Sequence, residues 1–434
     1  MTTRPPTAAA ARRVLLILTA TRWFPVGLVI GIVTLLPLER GVSLSQLGLI
    51  LSAQGFVVLA LELPTGGIAD ALGRRPVLLV ATGVALVSAV LFVLAQTVAA
   101  FVVAMLLQGV YRALDSGPLE SWYVDTAQAA DPGVEVEQGL SRAGTVLGLS
   151  IVGGALASGG LVAWDPVPFL TALETPYWLS VGFIAVNIVT TAVLLKEPVT
   201  HVDATGWRRA LGSAREAPRV VAGGLGLLRS NRVALALVGV EVFWSVGMIS
   251  FETLMPVRLS ELVGGEAQAG ALMGPVSAAA WGLFAAGSAL ASLLARRVGV
   301  AWTAIGSRVG QGLLVVVMGL TTGPIGLVTA FFVVYALHGT AGPVHATLIH
   351  RQARPGNRTT LLSMNSMVAG ASYSLGLLAL GPFAEATSTA LAIGMAGAFS
   401  VLGAALYLPA LRQERRRTEA MSEAEGRSGP RMAG

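Results

Sequence analysis

The chain has 434 residues, of which 54% are hydrophobic and only 12% are charged. So few charges cannot cover the surface of a water-soluble protein of this length, in which about a quarter of the residues are usually charged. The absence of cysteine excludes disulfides, thiolate nucleophiles and cysteine metal sites, and four histidines leave little for a histidine metal cluster. The composition therefore predicts a polytopic helical membrane protein.

Twelve apolar stretches follow one another along the chain, each close to the roughly 20 residues that a helix needs to cross a bilayer. They are too long for barrel strands and do not alternate as such strands do. The first six predicted spans are 14–38, 45–66, 76–97, 99–125, 140–163 and 176–196. The other six are 232–256, 267–295, 301–320, 323–348, 360–384 and 388–411. The predicted fold class is all-α, with twelve transmembrane helices in two six-helix bundles.

Polar segments divide the chain around these spans. Residues 1–13 form a short N-terminal tail, followed by one bundle at 14–198 and a second at 232–411. Between them, residues 199–231 mix arginines with apolar side chains, which predicts a basic amphipathic helix on the membrane surface. This segment is either a plain linker or a regulatory binding site. The charged composition of residues 412–434 predicts a disordered tail.

The basic residues are nearly all arginines and are unevenly distributed among the loops. If the N-terminus lies on the inner side of the membrane, most of the 29 lysines and arginines fall in inner segments. The outer loops then hold only Arg40 and Arg258. Arg22, Arg112 and Arg308 fall within the spans. Because basic loops stay on the cytoplasmic side, both termini are predicted to be cytoplasmic. The net charge of +6 has the same origin and does not indicate a nucleic-acid partner.

Charged side chains inside a membrane are costly, so they indicate function by default. Here they cluster on every third span, beginning with Arg22 on the first. On the fourth span, residues spaced for one helical face are Gln108, Tyr111, Arg112 and Asp115. On the seventh, the corresponding face carries Glu241, Trp244, Ser245, Met248 and Glu252, and on the tenth His338 and His345 are aligned. These faces are the candidate substrate-binding and proton-coupling site.

The charges on the first, fourth and seventh spans have alternative interpretations. Arg112 and Asp115 could simply neutralise each other, since they lie on one face of a helix. Glu241 could carry a coupled proton, because an acid inside the membrane is typical of proton relays. Its alternative role is an ion pair with Arg22 or Arg112.

The roles of the remaining polar residues in these spans also have alternatives. Glu252 lies near the outer end of its span, where it either contributes to the site or is merely solvated. His345 lies near the inner end, which favours a hydrated or structural side chain. His338 lies deeper, where it either contacts substrate or protons or is a hydrogen-bonded core histidine.

The loop between the second and third spans carries the pattern Gly66-x-x-x-Asp70-x-x-Gly73-Arg74-Arg75. With twelve spans in two halves, this pattern resembles the signature loop of the major facilitator superfamily, and the resemblance covers essentially the whole chain. Segments 62–66 and 116–125 further resemble a bacterial drug-efflux-like subgroup. The resemblance implies a bacterial inner-membrane protein that works as a monomer without a cofactor. It also implies a central cavity lined by the first, fourth, seventh and tenth spans.

The resemblance also implies a conformational role for this loop. Its glycines permit a tight turn, and Asp70 can cap a neighbouring helix, where the helix dipole favours an anion. Arg74 can pair with an acid at the inner end of the fourth span, for which Asp125 is the candidate. A latch that holds the two halves in one state is expected from Gly66, Asp70, Gly73, Arg74, Arg75 and Asp125.

The sequence contains no nucleotide-binding loop of the form G-x-x-x-x-G-K-[ST], so ATP is not the expected energy source. The predicted function is proton-coupled export, by antiport and alternating access, of a lipophilic small molecule such as a drug or natural product. One alternative is uptake of an anionic metabolite, bound by Arg22, Arg112 and the two histidines. Another is a non-transporting membrane sensor. The sequence contains no readable catalytic constellation, so no enzyme is expected.

Overall fold

The computed structural model describes residues 7–197, 221–354 and 357–427. Within these ranges every regular element is a helix, and twelve helical segments are long and apolar enough to cross a membrane. The prediction of an all-α protein with twelve transmembrane helices is therefore confirmed. We number these segments as spans one to twelve in chain order.

The first half contains six spans and one short additional helix. Spans one to three are Ala8–Ile30, Leu44–Leu72 and Arg74–Leu94, and the short helix is Leu35–Glu39. Span four consists of Val98–Leu114 and Pro118–Ala130, and spans five and six are Val136–Trp164 and Glu174–Leu194. Span four is interrupted because Gly117 has a φ of 95°, and Pro118 then begins a new helix. A proline fits the first turn of a helix, where its missing N–H is not needed.

The second half repeats this plan. Span seven begins as Arg232–Ile249, widens to a π-helical turn at Ser250–Leu254 and continues as Met255–Val263. Spans eight to eleven are Glu266–Val298, Val300–Leu320, Pro324–Gln352 and Arg358–Ala386. Span twelve consists of Thr389–Leu402, a 3₁₀ turn at Gly403–Tyr407 and Leu408–Arg427. The π-helical turn of span seven lies directly before Pro256, whose ring would clash with the carbonyl four residues earlier in a regular α-helix.

The chain ends differ from the sequence-based expectation. Span one begins at Ala8 rather than at residue 14. The last helix continues to Arg427, although its charged composition predicts disorder from residue 412. Glu414 anchors this helix, because its carboxylate pairs with Arg351 at 3.0 Å. Of the predicted linker, residues 199–220 lie outside the described residues, and residues 221–230 are helical.

The two halves use the same device to start their third helix. Gly73 and Gly299 precede spans three and nine with φ of 86° and 92° and ψ of 153° and 156°. A carboxylate from the end of each half then caps the new helix. Glu197 accepts hydrogen bonds from the N–H groups of Arg74 (2.9 Å) and Arg75 (3.1 Å). In the second half, the Glu414 carboxylate accepts hydrogen bonds from the N–H groups of Val300 (3.1 Å) and Ala301 (2.8 Å).

This turn gives a stability prediction. Gly299→Ala is expected to destabilise the protein by about 1–3 kcal/mol, because an L side chain rarely adopts this backbone conformation. A Cβ there would only make ordinary contact with Glu414, at 3.6 Å, so the expected loss is backbone strain. The measurement is the thermal unfolding midpoint of the purified protein in detergent.

The matched control for this prediction is Gly306→Ala, in the helix that Gly299 precedes. A Cβ on Gly306 meets no atom of the described residues within 4 Å. Because alanine has the higher helix propensity, this control is expected to leave the midpoint unchanged or raise it slightly. Equal midpoints for the two variants would contradict the strain argument.

The halves contact each other through spans two and eleven and through spans five and eight. Glycines bring the backbones together: a Cβ on Gly274 of span eight would lie only 2.5 Å from the Cα of Gly159 on span five. At the start of span two, the Ser43 hydroxyl and the Ser45 N–H each donate to the Glu385 carboxylate at 2.8 Å. We call these contacts the seam. It lies on the side of the molecule opposite to the start of span one.

Candidate functional site

A buried ion pair joins spans one and four. Arg22 Nη2 lies 2.5 Å from Asp115 Oδ2 and also donates to the Asp115 carbonyl at 3.2 Å. The helix of span four ends at Leu114, so Asp115 is its C-cap. A cation is favoured there, because the last carbonyls of a helix are unpaired and carry the negative end of its dipole. The direct ion-pair partner of Asp115 is therefore Arg22 rather than Arg112.

The first half encloses a cavity of about 130 Å³ beside this pair. Arg22, Gln108 and Tyr111 line it, together with Gln54 of span two. The rest of its wall is mainly apolar, from Pro25, Val26, Val29, Val33, Ala85, Ala89, Phe92, Met105 and Ile184. Three of the residues predicted from the sequence therefore face one largely apolar space.

A second cavity, of about 260 Å³, lies between the two halves. It is lined by Arg112 and Gln54 from the first half and by Trp244 and Met248 from the second, with Tyr373 of span eleven. Arg112 is exposed, so it faces this space rather than the Arg22–Asp115 pair. Since Gln54 lines both cavities, the second adjoins the first.

The second half contains its own polar cluster. His345 Nε2 lies 3.0 Å from Glu241 Oε1, to which the Asn365 side-chain amide also donates at 3.1 Å. His345 Nδ1 lies 2.7 Å from the Tyr407 hydroxyl. Glu241 and His345 are only 5% exposed. The partner of Glu241 is therefore His345 rather than Arg22 or Arg112, the alternative left open above, and His345 is buried rather than hydrated.

A third cavity, of about 250 Å³, borders this cluster. Trp244 lines it as well as the second cavity, so the three cavities adjoin one another across the molecule. The Arg308 guanidinium carbon lies 3.7 Å from the Trp244 ring centroid. His338 stacks on Trp244 with the ring centroids 4.7 Å apart. Arg308 is a site residue without a role predicted from the sequence, although an arginine in the middle of an apolar span is the signal that identifies it.

Glu252 lies apart from these cavities. It is half-buried within the π-helical turn, and its Oε1 accepts a hydrogen bond of 2.6 Å from the Tyr335 hydroxyl. It is eleven residues from Glu241, or about 16 Å along a helix axis. It is absent from the lining of the three cavities among the described residues. Glu252 is therefore neither merely solvated nor grouped with Glu241.

The predicted latch residues lie near the end of span two that is opposite to the seam. Arg74 Nη2 is 2.5 Å from Asp125 Oδ2, so the expected pair is present, although the Asp125 side chain is 61% exposed. Arg75 Nη2 donates to the Ala192 carbonyl at 2.7 Å. These contacts join spans three, four and six within the first half. The side chains of Gly66 and Asp70 lie outside the described residues, so the link to the second half stays a prediction.

Among the described ranges, no group of three or more histidine, aspartate or glutamate side chains is arranged to hold a metal ion. The polar groups of the three cavities instead combine two buried acid–base pairs with aromatic and apolar walls. Such walls, with a few converging polar groups, are typical of pockets for small organic molecules.

The sequence matches the family described as the Major Facilitator Superfamily over residues 15–324. The fold is similar to that of the nucleoside transporter NupG, with a TM-score of 0.75 and 12% identity over 92% of this chain and 98% of that chain. It is also similar to a structure of proton-dependent oligopeptide transporters, with a TM-score of 0.70 and 14% identity over 94% of this chain and 99% of that chain.

A third similar structure is a bacterial homologue of the human drug peptide transporters PepT1 and PepT2. Its TM-score is 0.68, with 13% identity over 94% of this chain and 99% of that chain. No curated protein matches the sequence. At these identities the likeness to the solved structures establishes the fold and not the substrate.

Proposed function

The chain belongs to the major facilitator superfamily, and from this premise we propose that it is a proton-coupled exporter of lipophilic small molecules that works by alternating access. Membership of this family supports a membrane transporter of small molecules rather than an enzyme. Proton coupling, the direction of transport and the class of substrate are the parts that we propose here.

The observation that carries the proposal is the Glu241–His345 pair beside the third cavity. A buried carboxylate and imidazole 3.0 Å apart can share one added proton, and both residues line a space that adjoins the gap between the halves. A buried charge without compensation is unfavourable, so the proton content of the pair changes the stability of the surrounding packing. Protonation can therefore bias the protein toward one conformation.

The position of the seam supports an inward-facing state. Both termini lie on the cytoplasmic side in this proposal, as the distribution of arginines favours. The seam then closes the outer side, and the cavity between the halves lies on its cytoplasmic side. A substrate from the inner leaflet or cytoplasm would enter this cavity, and a proton from outside would load Glu241 once the seam opens. One charge moved through 100 mV supplies about 2.3 kcal/mol.

Apolar side chains favour a lipophilic substrate, because they form most of the wall of the first cavity. Uptake of an anionic metabolite is the second candidate. It is favoured by Arg112 and Arg308, since each faces a cavity and neither forms an ion pair among the described residues. Arg22 is less suited to bind such an anion, because Asp115 already neutralises its charge.

The test uses proteoliposomes with a trapped pH-sensitive dye and an imposed proton gradient. Candidate substrates are tetraphenylphosphonium, neutral natural products, organic anions, a nucleoside and a dipeptide. We expect proton movement that starts on addition of a substrate and requires the protein. Controls are protein-free liposomes and Glu137→Gln, which changes an exposed acid. Substrate movement that is unaffected by the gradient would contradict proton coupling, and no movement of any compound would favour the sensor alternative.

A further inference from the structure

Arg308 lies near the middle of span nine and is only 6% exposed. Its Nε and Nη1 atoms are buried and have no hydrogen-bond partner among the described residues. No described carboxylate forms an ion pair with it, because Glu241 is bound by His345 and Asn365 instead. Arg308 interacts with the Tyr407 hydroxyl and with the nearby Glu241 charge. Two buried guanidinium nitrogens without a hydrogen-bond partner are still unfavourable, so this arrangement needs an explanation beyond folding.

The surroundings of Arg308 show where a ligand would bind. Arg308, His338 and Trp244 line the third cavity, and the face of Trp244 covers one side of the guanidinium at 3.7 Å. His338 Nδ1 is also buried and has no partner within the described part of the chain. Two side chains with unsatisfied nitrogen atoms therefore border one space of about 250 Å³.

The internal repeat shows that the fold itself does not require a cation here. Thr82 follows Gly73 at the same distance in sequence as Arg308 follows Gly299. The Thr82 hydroxyl is satisfied by the Leu78 carbonyl at 2.6 Å. The space beside Thr82 measures only about 10 Å³, and there Arg22 is neutralised by Asp115. The first half therefore has a closed ion pair, whereas the second has a cation beside an open cavity.

We propose that Arg308 binds the anionic group of the transported molecule, which is then an amphipathic organic acid. Guanidinium groups recognise carboxylates and phosphates through charge-assisted hydrogen bonds, and the open N–H groups of Arg308 suit either. The apolar part of the molecule would lie toward Trp244 and Met248, in the cavity between the halves. This inference rests on the proposed transport function and narrows its substrate class.

The Glu241 charge does not exclude an anion from this cavity. The carboxylate is engaged by His345 and Asn365, and when that pair holds one added proton its net charge is zero. The Glu241 carboxylate thus has its own partners, and the Nε and Nη1 atoms of Arg308 stay open to an anion.

The test measures equilibrium binding of radiolabelled benzoate, phenyl phosphate and benzamide to the purified protein in lipid nanodiscs. Benzamide has the shape of benzoate without its charge. The wild type is expected to bind at least one of the two acids ten or more times more tightly than benzamide. Preference for benzoate or for phenyl phosphate identifies the anionic group. Equal binding of acids and amide, or no binding of either acid, overturns the proposal without the need for any variant.

The variants then assign the preference to Arg308. Arg308→Gln is expected to remove the difference between acid and amide, and Arg308→Lys to retain part of it. The matched control is Arg297→Gln, an exposed arginine at the end of span eight, which is expected to bind as the wild type does. A preserved acid preference in Arg308→Gln overturns the assignment. Binding needs no gradient, so acid binding without proton-driven flux would contradict proton coupling and leave the Arg308 inference standing.

Discussion

Glu241→Gln is expected to abolish proton-driven accumulation of substrate while leaving exchange of substrate across the membrane intact. Glutamine has the shape of glutamate and can still accept the hydrogen bond from Asn365, now 3.1 Å from Glu241 Oε1. It cannot exchange a proton. Losing one coupled proton removes about 2.3 kcal/mol of driving force per 100 mV of membrane potential. This corresponds to roughly a 50-fold loss in the substrate concentration ratio across the membrane.

This prediction is measured with two assays on the same proteoliposomes. Substrate accumulation under an imposed proton gradient should fall to the level of passive exchange, whereas counterflow of labelled substrate should continue. Glu137→Gln, at an exposed position, should behave as the wild type does in both assays. Coupled accumulation that survives in Glu241→Gln would exclude this acid as the proton carrier and make Asp115 the next candidate. Loss of both accumulation and counterflow would indicate a structural role for Glu241 instead.

Asp115→Asn is expected to lower the stability of the folded protein by about 3–5 kcal/mol, because it leaves Arg22 buried without a counter-charge. The Asp115 side chain is 5% exposed and the Arg22 side chain 16%, so solvent cannot replace the lost partner. Arg22→Gln should also destabilise, by leaving the carboxylate alone. The double variant should be more stable than either single one, since two neutral amides can satisfy each other across the same distance.

Asp125→Asn is the matched control for this cycle. Asp125 also pairs with an arginine at 2.5 Å, but its side chain is 61% exposed. An exposed pair contributes about 0–1 kcal/mol, so the control should shift the unfolding midpoint little. The measurement is thermal unfolding in detergent for the wild type and the four variants. A loss of stability in the double variant equal to the sum of the two single losses would contradict the buried-pair interpretation. So would a control that is as destabilised as Asp115→Asn.

The sequence predicts the spans well because each is a long apolar run, and a helix is the structure that satisfies its own backbone in lipid. It also predicts the Arg74–Asp125 pair through the resemblance. It misses the interruption of span four, where Gly117 ends the regular spacing. Asp115 still continues the helical register, since its N–H donates to the Tyr111 carbonyl, but its ion-pair partner Arg22 lies on another helix.

Spacing along one helix cannot identify partners on another. Glu241 is correctly placed as a buried acid, yet its partner His345 depends on how spans seven and ten pack. Asn365 and Tyr407 complete the cluster from spans eleven and twelve, and neither carries a charge that would single it out in the sequence. Arg308 has such a charge, but only the packing shows that span nine turns it toward a cavity.

The seam between spans five and eight has a consequence for the speed of the transport cycle. At Gly159 and Gly274 the two halves meet backbone to backbone, with no side chain of either residue reaching across. Because neither residue carries a Cβ, neither has a side-chain rotamer that must change when the two helices move past each other. Dispersion contacts of about 0.1–0.2 kcal/mol per atom pair must separate here, besides the hydrogen bonds to Glu385 elsewhere in the seam. Close approach and fast reorientation are thus compatible at this part of the molecule.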